Sequence, residues 1–324
     1  MTEVIAADIG GTHARFALAE VEGGRVVSLG DPVTLKTDEY ASLQTAWEAF
    51  ANGLGRPAPR AAAIAVASPV GGEVIKFTNN PWVIRPALVG ERLGADRFVL
   101  INDFAAVGHA VAQAAADDFI HLCGPDRGLP EEGVVTVCGP GTGLGVAQVY
   151  RVGGGYHVLP TEGGHVDYAP LDPIEDAFVR ALRQDFTRVS AERIVAGPGI
   201  LTIYRTLAQI ERRPAPLTDD KAVWTAALEE NDSLANAALD RFFLALGAVA
   251  GDLALAHGAK AVVIAGGLGY RLRDRFARSG FAERFVAKGR FQSLMAGIPV
   301  KLIVHPQPGL FGAAAAFAQA EPGL

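Results

Sequence analysis

The sequence predicts an α/β fold in which strands and helices alternate and much of the strand pairing is parallel. Continuous apolar runs, such as residues 61–67 and 98–101, are typical of strands buried on both faces, and helices follow them along the chain. A glycine-tipped hairpin is predicted near the start, at residues 8–15, and a second at residues 139–145. From about residue 117 the order of elements starts again. The layout therefore predicts two tightly packed α/β domains without a low-complexity linker.

The first half is built around the first glycine turn. Apolar runs at residues 4–7 and 16–19 flank this turn and predict its two strands. Short strands over residues 26–29 and 33–35 are expected to extend the same sheet. The other elements predicted for this half are strands over 61–67, 74–77 and 97–101 and helices over 40–52, 86–93 and 104–116.

The second half repeats this plan around the second glycine turn. Its predicted strands cover residues 134–137, 146–152, 156–159, 261–265 and 300–304. Its predicted helices cover residues 172–186, 200–210, 219–230, 233–257 and 311–319. No residue-level repetition between the halves is evident, so the duplication is inferred from the order of elements alone.

Composition excludes several classes of function. The chain has 324 residues, of which 50% are hydrophobic and 20% charged, which is ordinary for a soluble globular protein. Its net charge of −6 argues against a general nucleic-acid or anionic-membrane binder. Cys123 and Cys138 lie in apolar strand-like runs and are expected to be reduced thiols. The most apolar region, 242–270, is interrupted by charged residues and does not resemble a membrane span, so a cytoplasmic location is expected.

The first glycine turn suits an anion. Adjacent Gly10 and Gly11 let backbone N–H groups approach a phosphate without an intervening Cβ, and Thr12 adds a hydroxyl donor. Asp8 stands where a strand-end carboxylate could hold a hydrated metal ion. Taken alone, the turn is better explained as an ordinary hairpin. The second turn, from Gly139 to Gly145, favours two hairpins that together grip a polyphosphate.

Two other kinds of nucleotide site fit the sequence less well. Counted from Gly139, the sixth position of the second turn is Leu144, so a Rossmann Gly-x-Gly-x-x-Gly motif is not met. That turn leads into strand-like residues 146–150, whereas a Rossmann turn opens a helix. No Walker motif occurs in the sequence either.

Polar residues follow several predicted strands, where α/β proteins place ligand-binding groups. Asp103, at the end of a buried strand, could accept a proton from an attacking hydroxyl, or it could cap the following helix. Glu162 and His165, separated only by glycines, could both point at one small polar ligand. Glu192 could likewise belong to a binding site, or it could favour the N-terminus of a helix. Gly266-Gly267 would allow the close approach of a flat purine, or it could simply end a strand.

Taken together, these motifs resemble those of bacterial glucokinase, the cytosolic type without zinc, within the superfamily of actin-like proteins, sugar kinases and heat-shock chaperones. The resemblance covers nearly the whole chain. It is carried by DIGGTHAR (8–15), TNNPW (78–82), INDF (101–104), GPGTGLGVA (139–147), EGGHVDYAP (162–170), SAERIVAGPG (190–199), IAGGL (264–268) and PGLFGAAA (308–315).

The resemblance implies a fold and an activity. The fold would be two ribonuclease-H-like domains of the actin-like ATPase type flanking an active-site cleft, with residues 1–113 and 309–324 forming the small domain and 114–308 the large one. The activity would be ATP-dependent phosphorylation of D-glucose to glucose 6-phosphate, the entry to glycolysis. The family also implies a cytoplasmic homodimer that uses ATP and Mg²⁺ and binds neither zinc nor nucleic acid.

The resemblance further implies roles for individual residues. Asp103 would be the general base for the 6-hydroxyl, and Asp8 would position Mg²⁺ through water. Glucose would be bound by Asn80, Asn102, Asp103, Glu162, His165 and Glu192. ATP would be bound by Ala7, Asp8, Ile9, Gly10, Gly11, Thr12, Gly139, Gly141, Thr142, Gly143, Gly266 and Gly267.

Two alternatives remain open at the level of sequence. The chain could phosphorylate another hexose, such as mannose or an N-acetylated sugar. It could also be a non-catalytic sugar- or nucleotide-sensing protein, although a pure sensor needs no base at Asp103. One departure from the family is His13, where many members have Asn; if this side chain reaches the nucleotide or sugar, its charge would add a pH dependence near neutrality.

Overall fold

The computed structural model describes residues 1–77 and 80–323 and divides them into two compact units. The first unit consists of Met1–Ala115, Val158–Pro160 and the described chain from His305 onward, and the second of Ala116–His157 and Thr161–Val304. The domain limits that the sequence suggests, 1–113 with 309–324 and 114–308, stay a prediction.

The first unit is organised around a sheet in the order β3-β2-β1-β5-β8, with β4 paired to β2. Its strands are β1 (Thr2–Ile9), β2 (His13–Glu22), β3 (Arg25–Leu29), β4 (Val33–Lys36), β5 (Ala61–Val66) and β8 (Arg97–Asn102). The short strands β6 (Ile75–Lys76) and β7 (Val83–Ile84) pair separately. The prediction that residues 26–29 and 33–35 extend the first sheet is confirmed, because β3 and β4 both pair with β2.

Helices cover the sheet of the first unit. They are α1 (Leu43–Gly53), α2 (Val89–Leu93), α3 (Asp103–Gln113) and α12 (Pro308–Ala320). The predicted start of α1 at residue 40 was too early, because Ser42 is the N-cap and forms a capping box with Thr45. Helices α3 and α12 pack closely because Gly312 has no side chain; a Cβ there would collide with the carbonyl oxygen of Ala106.

The second unit contains a sheet in the order β12-β11-β10-β13-β14-β9. Its strands are β9 (Phe119–Cys123), β10 (Gly133–Pro140), β11 (Leu144–Val152), β12 (Gly155–Thr161), β13 (Ala261–Ile264) and β14 (Val300–Ile303). Strands β10, β13 and β14 are parallel neighbours, and β10 and β11 form the second hairpin. The edge strand β9 pairs antiparallel with β14; the run around Cys123 was described as strand-like, but no bounds were predicted for this strand.

The helices of the second unit pack around one large apolar core. They are α4 (Pro173–Leu182), α5 (Ala191–Ile194), α6 (Gly199–Glu211), α7 (Asp220–Leu228), α8 (Ser233–His257), α9 (Gly266–Arg271), α10 (Phe281–Val286) and α11 (Gln292–Ala296). The predicted bounds of α8 are confirmed: Asp232 caps its start, and Gly258 ends it in the left-handed conformation. The predicted helix over 172–186 ends earlier, at Leu182. No helix in the described part of the chain is long and apolar enough to cross a membrane.

Candidate active site

In the first unit, the sheet brings two predicted site carboxylates to one edge. Strands β1, β5 and β8 are parallel, so their carboxyl ends meet at that edge. Ile9 pairs with Val66, and Val66 pairs with Asn102, so the register aligns the strand ends on which Asp8 and Asp103 stand. Each unit of the chain carries its own set of the predicted residues.

The first hairpin has a three-residue tip, residues 10–12, whose backbone is held by hydrogen bonds. The N–H of Gly10 donates to the carbonyl of His13 at 2.9 Å. Buried Thr37 donates its N–H to the carbonyl of Thr12 at 3.1 Å and its hydroxyl to the carbonyl of Gly11 at 2.9 Å. Across residues 1–77 and 80–323, the N–H groups of Gly11 and Thr12 donate to no backbone carbonyl. These donors therefore suit an anionic ligand.

Asp8 is a partly buried carboxylate with a cationic neighbour, Arg15. Nη1 of Arg15 lies 3.3 Å from its Oδ2, across the first hairpin. Burial raises the pKa of Asp8, and the positive charge of Arg15 opposes that rise. Helix α12 begins directly beside the carboxylate, because a Cβ at Gly309 would lie 2.6 Å from Oδ2. The roles of Arg15 and Gly309 were missed from the sequence. The register of the hairpin, which pairs Ile9 with Ala14, places Arg15 opposite Asp8.

Asn102 and Asp103 occupy different roles at the start of α3. Asn102 is the N-cap, and its Oδ1 accepts the N–H groups of Phe104 at 2.8 Å and Ala105 at 3.2 Å. The alternative that Asp103 caps this helix is therefore wrong; Asp103 is the first residue of the helix. Its Oδ1 also accepts the N–H of Phe104, at 2.8 Å.

The environment of Asp103 makes its carboxyl a stronger base than usual. Burial, together with the negative charge of Asp8, raises the pKa of Asp103 from 3.8 to about 6. A carboxylate with a pKa near the working pH is a more effective proton acceptor than one with the ordinary pKa near 4. Its chemistry therefore suits a general base that activates a hydroxyl.

Asn80 is buried and connects two loops of the first unit. Its Oδ1 accepts the N–H of Trp82 at 2.9 Å, and its Nδ2 donates to the carbonyl of Gly10 at 3.4 Å. The two preceding residues of the predicted sugar motif, Thr78 and Asn79, lie outside the described residues. Asn80 therefore helps to hold the first hairpin, whatever else it binds.

The second hairpin is built like the first. Its tip, residues 141–143, separates β10 from β11, and the N–H of Gly141 donates to the carbonyl of Gly143 at 2.8 Å. The N–H groups of Thr142 and Gly143 donate to no backbone carbonyl within the described chain. Gly266, with φ +83°, lies beside the residue that precedes the tip, because a Cβ there would come within 2.7 Å of the carbonyl of Pro140. Gly266 and Gly267 are the first two residues of α9, so they do not merely end the strand.

Glu162 and His165 are the predicted sugar ligands that follow β12. The side chain of Glu162 is 76% exposed and that of His165 is 54% exposed. Nε2 of His165 lies 3.9 Å from Oε2 of Glu162. Arg188 donates to the carbonyl of His165 at 2.6 Å, which fixes this short turn. A Cβ at Gly164 would collide with the carbonyl of Leu144, so the turn lies directly against the second hairpin.

Glu192 lies in the first turn of α5, and its carboxylate is used by a neighbouring loop. Its Oε2 accepts the N–H of Leu144 at 2.9 Å, directly after the tip of the second hairpin. Beside it is a pocket with about 560 Å³ of empty space, where the guanidinium of Arg193 stacks 3.8 Å from the ring centre of Phe186. The pocket is lined by Thr142, Leu182, Phe186, Glu192, Arg193, Ala196, Pro198, Gly199 and Thr202.

Asp8 is the predicted position of a metal ion. Among residues 1–77 and 80–323, no three His, Cys, Asp or Glu side chains form a group that could hold a metal ion by themselves. A single carboxylate such as Asp8 suits Mg²⁺, because this ion keeps several waters and takes most other ligands from substrate phosphates.

Comparison with known sequences points to one family. The family model for glucokinase matches residues 5–320. A glucokinase from Zymomonas mobilis is 61% identical over 316 residues, which are 98% of this chain and 98% of that protein. A glucokinase from Paramagnetospirillum magneticum is 39% identical over 315 residues, 96% of each chain.

Solved structures share the fold. A crystal structure of glucokinase from an Antarctic psychrotroph has a TM-score of 0.87 at 30% identity and covers 98% of this chain and 99% of its own. Glucokinase from Balamuthia mandrillaris in complex with glucose has a TM-score of 0.75 at 21% identity, with 98% and 94% covered. A ROK family glucokinase from Streptomyces griseus in complex with glucose and AMPPNP has a TM-score of 0.61 at 18% identity, with 97% and 98% covered. These neighbours confirm the two-domain α/β fold of the actin-like superfamily.

Proposed function

This chain belongs to the glucokinase family, and we propose that the residues described above carry its reaction. The enzyme transfers the terminal phosphoryl group of ATP to D-glucose and forms glucose 6-phosphate. Asp103 accepts the proton of the attacking 6-hydroxyl. The raised pKa of its buried carboxyl, about 6, is the observation that carries this assignment.

The two glycine hairpins bind the phosphates of ATP. Each has a three-residue tip with two N–H groups that donate to no backbone carbonyl in the described chain, namely Gly11 and Thr12 in the first and Thr142 and Gly143 in the second. Phosphoryl transfer has a loose transition state whose charge lies on the phosphoryl oxygens, so fixed donors supply much of the catalysis. The remaining assigned ATP contacts are Ala7, Asp8, Ile9, Gly10, Gly139, Gly141, Gly266 and Gly267.

Mg²⁺ is the metal ion that fits Asp8. The residue offers a partly buried carboxylate next to a phosphate-binding hairpin, which suits an ion held through water. When bound, Mg²⁺ supplies positive charge that neutralises the phosphate oxygens. The chain's own contribution is to keep Asp8 in place through Arg15 and through the close approach of Gly309.

Six polar side chains are the proposed sugar ligands. Asn80, Asn102, Asp103, Glu162, His165 and Glu192 are assigned to glucose. Carboxylates and an imidazole pair with several hydroxyl groups at once, and a site of this kind rejects an isomer that leaves one of its polar groups unpaired. Glu162 and His165 are exposed in the second unit, so they are open to such a ligand.

We further propose that the enzyme is a cytoplasmic homodimer, as its resemblance to bacterial glucokinases implies. Sedimentation equilibrium of the purified protein measures this directly. A mass of two chains supports the proposal, and a mass of one chain across micromolar concentrations contradicts it.

A coupled assay of ADP release over several sugars tests the function. We expect the highest kcat/KM for glucose, with mannose and N-acetylglucosamine at least tenfold lower, because each mispairs one or more polar groups of the site. A higher kcat/KM for another hexose would reassign the substrate. Glucose binding without turnover in the presence of ATP and Mg²⁺ would instead make the protein a sensor.

A further inference from the structure

We propose that Glu192 is a positioning residue for the second glycine hairpin, so that one side chain serves both the sugar and the phosphates. The inference rests on the proposed function, because it takes the second hairpin as a phosphate loop and Glu192 as a sugar ligand. It adds a role that sugar binding does not require: the carboxylate fixes the backbone immediately after the hairpin tip. All the contacts that carry it lie within the second unit.

The first contact is a charged hydrogen bond between Glu192 and the hairpin. The N–H of Leu144 donates to Oε2 of Glu192 at 2.9 Å, although 48 residues separate the two along the chain. Leu144 is the first residue of β11, so the bond fixes the point where the tip rejoins the strand. A hydrogen bond from a backbone N–H to a carboxylate is stronger than one to a neutral oxygen.

The second observation is that the hairpin has no side chain where the carboxylate approaches. A Cβ built on Gly143 would collide with Oε2 of Glu192. The φ angle of Gly143 lies outside the left-handed range, so its backbone conformation alone does not demand glycine. The absence of a side chain at residue 143 is therefore explained by the close approach of Glu192.

A second support lies behind the same tip. The N–H of Gly197 donates to the carbonyl of Gly141 at 2.7 Å, and the indole N–H of Trp224 donates to the carbonyl of Gly197 at 2.8 Å. The segment from Glu192 to Gly197 thus holds both sides of the tip. In the first hairpin Thr37 has the corresponding task, but Thr37 is buried and binds only backbone carbonyls there.

The two carboxylate oxygens of Glu192 have different roles. Oε2 is used by Leu144, whereas Oε1 accepts no hydrogen bond from the chain within residues 1–77 and 80–323. Oε1 is therefore the oxygen left for a sugar hydroxyl. A sugar hydroxyl that donates to Oε1 therefore binds the same carboxylate that holds the phosphate loop.

The affinity for nucleotide in the absence of sugar separates this role from sugar binding. Calorimetry with AMPPNP and Mg²⁺, without glucose, is the measurement. We expect Glu192→Ala to weaken nucleotide binding about tenfold or more, because a hydrogen bond to a charged group is lost at the loop. Glu192→Gln keeps an acceptor for the N–H of Leu144, so its affinity for AMPPNP should remain within about threefold of the wild type. This substitution also keeps the size of the side chain, so it leaves no new cavity.

Glu162→Gln is the matched control. It changes another predicted sugar carboxylate that makes no hydrogen bond to the second hairpin in the described chain, so nucleotide affinity should be unchanged while glucose affinity falls. Wild-type affinity for AMPPNP in Glu192→Ala would overturn the inference. A wild-type protein that binds no AMPPNP would instead overturn the proposed function itself.

A double-mutant cycle with Gly143 tests the contact directly. Gly143→Ala should weaken AMPPNP binding in the wild type, because its Cβ displaces the carboxylate of Glu192. In the Glu192→Ala background the same change should have less than a twofold effect, since nothing remains to be displaced. An equal loss in both backgrounds would contradict the inference.

Discussion

Asp103 shows how long-range contacts determine the chemistry of a single residue. Its position after a buried strand is evident from the sequence, but Asn and Asp both cap helices, so local sequence could not decide which of the two neighbours does so. The structure assigns the cap to Asn102 and leaves Asp103 beside the charge of Asp8. The raised pKa arises from burial and from Asp8, which is distant in sequence, and neither cause has a local sequence signal.

The pH profile of kcat/KM for glucose should report this pKa. Proton acceptance requires the ionised carboxylate, and the pKa of Asp103 is raised to about 6. We therefore expect activity to be flat above pH 7 and to fall about tenfold per pH unit well below pH 6. An acid limb near pH 4, the ordinary range for Asp, would contradict this assignment.

The same raised pKa predicts that Asp103 lowers the stability of the folded protein at neutral pH. Its pKa is higher in the folded state, so the contribution of this group is favourable at low pH and is lost as pH rises between 3.8 and about 6. At 1.36 kcal/mol per pKa unit, this loss is at most about 3 kcal/mol. Asp103→Asn should therefore raise the free energy of unfolding by about 1–3 kcal/mol at pH 7 and have little effect at pH 4. Urea unfolding at both pH values measures the difference, and equal effects would contradict the expectation.

Glu162→Ala should act mainly on sugar binding. The side chain is 76% exposed and lies 3.9 Å from His165, so its removal should leave the fold intact. We expect the KM for glucose to rise at least tenfold with a smaller change in kcat, checked by calorimetry with glucose. Asp176→Ala, which removes an exposed carboxylate from α4, is the control and should change neither constant. Equal glucose affinity in Glu162→Ala and wild type would refute the role.

At the scale of elements, long helices with clear capping residues could be predicted from the sequence, and short helices could not. Helix α8 could be predicted to its end residues because Asp232 and Gly258 give clear start and stop signals. Helices α9, α10 and α11 were missed; each has only five or six residues. Such short helices depend on tertiary packing, as where Phe281 and Phe285 of α10 enter the core next to α8.

The contact between α3 and α12 gives a stability test at this scale. Gly312→Ala places a methyl group against the carbonyl of Ala106, so we expect a loss of about 1–3 kcal/mol in unfolding free energy. Gly53→Ala is the matched control, because a Cβ there meets no atom within 4 Å and Ala is the better helix former in α1. The control should be neutral or stabilising by up to about 1 kcal/mol. Equal effects of the two changes on thermal unfolding would contradict the close packing.

At the scale of the whole molecule, the assigned groups are divided between two units. The first carries Asp8, Asp103 and one hairpin, and the second carries Glu162, Glu192 and the other hairpin. The family motifs predicted these residues and both glycine tips. The groups that hold the tips in place, such as Thr37 for the first hairpin, lie far away along the chain and could be found only in the folded structure.

The kinetic constants of Asp103→Asn, measured together with its affinity for glucose, test the central claim most directly. Asn keeps the size of the side chain and an acceptor for the N–H of Phe104 but cannot accept the proton of a hydroxyl. We expect kcat to fall by about 10²–10⁴, the usual contribution of a general base, while the Kd for glucose stays within about fivefold of the wild type. A kcat within tenfold of the wild type at pH 7.5, with glucose still bound, would contradict the role of Asp103 as the base.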